Sequence, residues 1–117
     1  MPLIKIHPSN TSLPAIEERP LLEDLSARLA AATGKPEQYV MTCLMPRASM
    51  TFGGTHEPAC YVEVKSLGGF TPEQTEALSA ELCEVLGEAL RVPADRIYIE
   101  FAGGERHLWG WNESTFA

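Results

Sequence analysis

The chain has 117 residues, 44% hydrophobic and 21% charged, which predicts one soluble domain whose core needs no metal or disulfide staple. A formal charge of −7 with no basic cluster excludes a nucleic-acid surface, and the longest apolar runs are far short of a membrane span. No basic segment leads into a long apolar stretch, so no signal peptide is read and the cytoplasm is the expected compartment.

The opening, MPLIKI, reads as a strand over about 2–7 on Leu3, Ile4 and Ile6. Pro2 cannot donate a ladder hydrogen bond and is tolerated only at an edge or a strand's first position. It either simply starts the strand or has a second use. If Met1 is removed, as expected before a small second residue, Pro2 becomes a free secondary amine, able to act as base or nucleophile. A helix is predicted over about 19–33, with Leu22, Leu25, Leu29 and Ala32 on one face, stopping at Gly34 with Pro36 behind it. Strands are predicted at about 38–46 and 60–67. The best helix covers 72–90: Thr71 is its N-cap, Pro72 suits the first helical position, and Gln74 completes a capping box. Leu78, Leu82, Val85, Leu86 and Ala89 form its core stripe, and a last strand follows at about 96–102.

Residues 25–40 (LSARLAAATGKPEQYV) and 82–97 (LCEVLGEALRVPADRI) align without a gap, matching Leu25 to Leu82, Leu29 to Leu86, Pro36 to Pro93 and Val40 to Ile97. The expected fold is therefore α/β. Two βαβ repeats, about 1–52 and 58–105, form a four-stranded mixed sheet with two helices on one face, and 106–117 is a C-terminal segment. Ile4, Ile6, Val62, Val64, Ile97, Ile99 and Phe101 should lie under the helices. The opposite face, with Leu3, Lys5, His7, Tyr61, Glu63, Lys65, Leu67, Tyr98 and Glu100, is too apolar for plain solvent and too charged for a dry core. It suits a closed oligomer with sheets around a wet centre.

Cys43, Cys60 and Cys83 form no CxxC pair and read as small buried hydrophobes, and no His stands at zinc-ligand spacing. The glycine pairs at 53–54, 68–69 and 103–104 fit no phosphate loop and read as turns.

MPLIKI, ATGKP (32–36), FGG followed by EP (52–58), PADRIYIEF (93–101) and GWNESTFA (110–117) together resemble the macrophage migration inhibitory factor family of the tautomerase superfamily. The resemblance runs end to end and implies a homotrimer without metal or organic cofactor. It implies that the processed Pro2 is the general base of a keto–enol tautomerase acting on phenylpyruvate-like or dopachrome-like carbonyl compounds. Lys35, in ATGKP, would supply the cation that lowers the amine pKa and binds the substrate carboxylate; by position alone it is a solvated lysine in a capping turn. The resemblance adds Leu3, Ser66 and Leu67 to the pocket, Tyr98 from a neighbouring subunit, and Tyr39, Trp111 and Phe116 as walls, residues that also fit plain core packing.

Two positions depart from the family pattern. Glu100 stands where an amide is common, and Trp109 where a smaller aliphatic is common. If Tyr98 reaches the pocket, Glu100 two residues on should reach it too. A carboxylate about 5 Å from a substrate carboxylate would repel it by roughly 3 kcal/mol at an effective dielectric near 20. Neutralisation by Lys35 or another cation, or by a raised pKa, is then expected, unless the natural substrate is not a simple anion. Two rival readings stand beside tautomerisation. One is a cytokine-like, receptor-binding protein with a vestigial pocket, for which non-classical secretion is the corresponding route. The other is hydration, dehalogenation or decarboxylation on the same fold.

Overall fold

The computed structural model describes residues 1–9 and 15–117, with the backbone alone at 15 and 16. Strand β1 (Leu3–Pro8) is followed by helix α1 (Ala15–Thr33), strands β2 (Met41–Leu44) and β3 (Cys60–Lys65), helix α2 (Pro72–Leu90) and strand β4 (Ile97–Ala102). A two-stranded hairpin, β5 (Gly110–Trp111) and β6 (Ser114–Thr115), ends the chain. The main sheet has the order β2-β1-β3-β4. Strand β1 runs parallel to β2 and antiparallel to β3, and β3 runs parallel to β4. This is the mixed sheet that two βαβ units generate, with β2 and β4 as open edges.

Alternation sorts the sheet residues as the period of two requires. Ile4, Ile6, Val62 and Val64 are fully buried with Leu25, Leu29, Leu78, Leu82 and Leu86 of the helices. The helix stripes are wider than the sequence suggests, because Leu21 and Leu90 are buried as well while Leu22, Val85 and Ala89 are only partly so. Among the described residues no helix covers the other sheet face. There His7 Nε2 and Glu63 Oε2 are 3.1 Å apart, Lys65 lies 3.5 Å from Glu63, and the Tyr61 hydroxyl donates to Glu100 at 2.5 Å.

Local rules explain the element ends. At α2 the Thr71 hydroxyl accepts from the Gln74 N–H at 3.2 Å and the Gln74 side chain accepts from the Thr71 N–H at 2.9 Å. Helix α1 begins earlier than the expected residue 19. Pro20 sits inside it at the cost of one i→i−4 hydrogen bond, and the extra turn places Glu17 and Glu18 at the positive end of the helix dipole. Strand β2 is shorter than 38–46, because Pro36 starts a 3₁₀ turn at Glu37–Tyr39. The second half repeats the device, with a 3₁₀ turn at Ala94–Arg96 after Pro93. Gly34 (φ 69°) and Arg91 (φ 56°), equivalent in the repeat, both end their helices in the left-handed region. Lys35 thus stands where the other half has the buried Val92.

Candidate active site at the start of the chain

Strand β1 begins one residue after Pro2, whose side chain is fully buried and whose carbonyl accepts from the Met41 N–H at 3.0 Å. The ring is thereby fixed at the head of the strand while its nitrogen faces the chain start. Pro2, Leu3, Tyr39, Trp109, Trp111 and Phe116 line one cavity of about 240 Å³. Gln38, Val40 and Met41, from the 3₁₀ turn and the start of β2, complete the wall. Sequence reasoning did not name these three; their place follows from β2 pairing parallel to β1 in the register Leu3 to Met41.

The aromatic wall is a packed unit. Trp111 stacks on Phe116 with ring centroids 5.6 Å apart, and Tyr39 meets Trp111 edge-on at 5.6 Å. The C-terminal hairpin makes this contact possible. Asn112 (φ 51°) and Glu113 (φ 65°) both take positive φ, the signature of a tight two-residue turn, which returns Phe116 beside Trp111.

Lys35 and Leu67 line a second, larger cleft of about 790 Å³, walled by Gly68, Gly69, Gly103 and Gly104 and bordered by Glu105 and Arg106. The Lys35 ammonium donates to the Leu67 carbonyl. The two spaces share a wall. The Arg106 Nε donates to the Phe116 carbonyl at 2.6 Å, and a Cβ on Gly104 would stand 3.3 Å from Trp109 Nε1. Ser66 is fully buried behind this cleft. Its carbonyl accepts from the Gly69 N–H at 3.0 Å, its N–H donates to Ala102 at 3.0 Å, and its hydroxyl has no partner among the described residues. Ser66 therefore shapes the site through its backbone.

The electrostatics join the two spaces. Partial burial first, and the Lys35 cation second, pull the Met1 α-amine below its ordinary range. Lys35 is itself lowered, by burial first and then by the Arg106 charge. Protons leave such amines more easily than they leave a solvated terminus.

Tyr98 and Glu100 lie elsewhere in the same chain. Tyr98, 68% exposed on edge strand β4, packs its ring 4.8 Å from Phe52 beside a cavity lined also by Tyr61 and Met50. Glu100 is held by the Tyr61 hydroxyl, while Lys35 is engaged with Leu67 and so does not neutralise it. Within one chain neither residue reaches the Pro2 cavity. Cys60 is buried, and burial pushes its thiol up to about 12.

The family model described as macrophage migration inhibitory factor matches residues 1–117. The mouse macrophage migration inhibitory factor is 38% identical over 109 residues, covering 92% of this chain and 95% of its own. A crystal structure of a macrophage migration inhibitory factor homologue from Prochlorococcus marinus is 47% identical, with a TM-score of 0.91 over 98% of this chain and 99% of that one. The macrophage migration inhibitory factor of Toxoplasma gondii is 31% identical, with a TM-score of 0.90 over 97% and 99%. With a match over its whole length and the same mixed sheet and helix pair, the chain belongs to the macrophage migration inhibitory factor family.

Proposed function

We propose that the chain, once Met1 is removed, is a keto–enol tautomerase in which the Pro2 amine carries a proton between carbon and oxygen of an α-keto acid. One observation carries the reading: a buried Pro2 heads an aromatic cavity also lined by Met1, whose α-amine feels the Lys35 cation in the unprocessed chain. Once Met1 is gone, the same burial and cation would act on the Pro2 amine and favour its neutral form, so that the base is available near neutral pH. The aromatic wall that Tyr39, Trp111 and Phe116 present to the cavity suits an arylpyruvate or dopachrome-like ring. Lys35 then takes the carboxylate and polarises the adjacent carbonyl as enolate charge develops. No metal or organic cofactor is required for this step.

The working form is a homotrimer. The sheet has two open edges, and large apolar side chains stand exposed near both: Met41 (64%) on β2 and Tyr98 (68%) on β4. A contact joining one edge to the opposite edge of the next subunit is heterologous, and with a threefold rotation it closes as a ring. It would bring Tyr98 and Glu100 of one subunit toward the Pro2 cavity of another, and it would cover the mixed polar face. The name shared by the relatives supports a second reading, a cytokine-like binding protein with a residual pocket. Turnover of phenylpyruvate enol, measured with sedimentation at the same concentration, separates the two. Tautomerase activity that tracks a trimer is the expected result. A well-folded trimer that leaves the enol at its uncatalysed rate would favour the binding reading.

A further inference from the structure

The site holds a second cation that the tautomerase reading leaves without a task. The chain has 9 Lys and Arg against 16 Asp and Glu, so acidic partners are plentiful. Arg28 uses two of them, Asp24 at 2.8 Å and Glu81 at 2.9 Å, and Lys65 approaches Glu63. Arg96 is absorbed by backbone carbonyls of Pro58, Glu57 and Phe52. Lys35 and Arg106 each donate to a backbone carbonyl and form no ion pair with a carboxylate among the described residues, and what sets them apart is that both line the same cleft. The nearby carboxylate, Glu105, is engaged with His107 Nε2 at 2.7 Å.

We propose that Arg106 is a second anion-binding residue, and that this cleft selects α-keto acids carrying two carboxylates, one held by Lys35 and the other by Arg106. Three features of the geometry support it. The Arg106 Nε is fixed on the Phe116 carbonyl, so the guanidinium is already oriented while its two terminal nitrogens remain for a ligand. Phe116 belongs to the wall of the Pro2 cavity, which places this guanidinium at the junction between base and cleft. Glycines at 68, 69, 103 and 104 keep side chains out of the cleft, whose volume of about 790 Å³ exceeds what one carboxylate needs. Two neighbouring cations without counter-ions repel each other, and a dianion relieves both at once. Charge repulsion from Arg106 adds to burial in lowering the Lys35 pKa, as expected for such a pair.

The reaction part of this proposal rests on the tautomerase reading, but the binding part does not, and the test separates them. Calorimetric titration with succinate and with butyrate compares a dianion and a monoanion of equal length without any turnover. Succinate should bind at least about tenfold more tightly than butyrate, the scale of one added charge-assisted hydrogen bond. Arg106→Ala should weaken succinate about tenfold and butyrate less than twofold, and Arg106→Lys should retain most of the preference. Butyrate serves as the internal control for any damage to the Phe116 contact. Ketonisation of oxaloacetate enol should lose a similar factor in Arg106→Ala, mostly in KM, and several-fold more than phenylpyruvate enol loses in the same variant. Equal losses for both ligands would overturn the proposal, since they would mean that both cations grip one carboxylate. Absence of a succinate preference in the unmodified protein would overturn it as well. Arg106-dependent succinate binding without enol turnover would support the anion site and refute the tautomerase reading.

Discussion

Gly103→Ala is the sharpest structural perturbation available near the site. Gly103 does not occupy the positive-φ region, so alanine meets no backbone objection there; the obstacle is space. A Cβ at this position would lie 2.6 Å from Gly69 Cα and 2.9 Å from Gly69 N. That is roughly 1 Å inside ordinary carbon–carbon contact, and the atoms it meets are backbone. The two loops must separate, which threatens the hydrogen bond from the Gly68 N–H to the Gly104 carbonyl at 3.1 Å. Overpacking costs about 1–3 kcal/mol and the lost hydrogen bond about 1 kcal/mol, so a loss of about 2–4 kcal/mol is expected. For a chain of this size that is about 8–16 °C in Tm. Gly104→Ala is the control. Its Cβ would meet the Trp109 indole at 3.3 Å, a side-chain end that can yield, so its cost should stay below about 1 kcal/mol. Urea unfolding of both variants at one protein concentration is the assay. Because the Leu67 carbonyl that holds Lys35 leads directly into the displaced loop, Gly103→Ala should also raise KM for a keto acid. A Gly103→Ala midpoint equal to wild type, or no lower than that of Gly104→Ala, would refute the close-approach argument.

Lys35→Ala removes a cation that lowers the Met1 α-amine and should act likewise on the Pro2 amine exposed by processing, so the pKa of the base should rise and the acid limb of the kcat/KM profile should move to higher pH; an unmoved limb would show that Lys35 does not tune the base. At neutral pH Cys60 should stay protonated, since burial holds its thiol near 12. Cys60→Ser should therefore leave enol turnover intact, and reduction of a model disulfide that depends on Cys60 would contradict this. Glu100→Asn should raise kcat/KM for an anionic keto acid more than for its methyl ester, because in a ring of subunits it removes a negative charge beside the substrate; equal effects on acid and ester would leave Glu100 as a Tyr61 partner alone.

How much could be read in advance depends on how local the cause is. Helix α2 was legible to the residue because Thr71, Pro72 and Gln74 act within a single turn. The start of α1 was not, since Pro20 looks like a boundary and is tolerated instead, at the cost of one hydrogen bond. The repeat placed Pro36 and Pro93 in register, yet the 3₁₀ turn after Pro36 runs through Tyr39, inside the expected strand 38–46, while the turn after Pro93 meets the expected strand 96–102 only at Arg96. Alternation sorted the sheet faces correctly at Ile4, Ile6, Val62 and Val64. At the site, Pro2 and the aromatic positions drew their meaning from the resemblance, and no spacing rule would have singled them out. Arg106 was missed for a physical reason: its significance comes from tertiary proximity to Lys35. The nearest signal in the sequence was a cation following the Gly103–Gly104 pair.

The central claim is that the Pro2 amine is the base, and retaining Met1 tests it most directly. With Met1 attached, the Pro2 nitrogen is a tertiary amide without a basic lone pair. Preparations with and without Met1, distinguished by mass spectrometry, should be compared for phenylpyruvate enol ketonisation at matched trimer content. The processed form should be faster by about a hundredfold or more, the scale of general-base catalysis. Equal turnover by protein shown to carry Met1 would contradict the account.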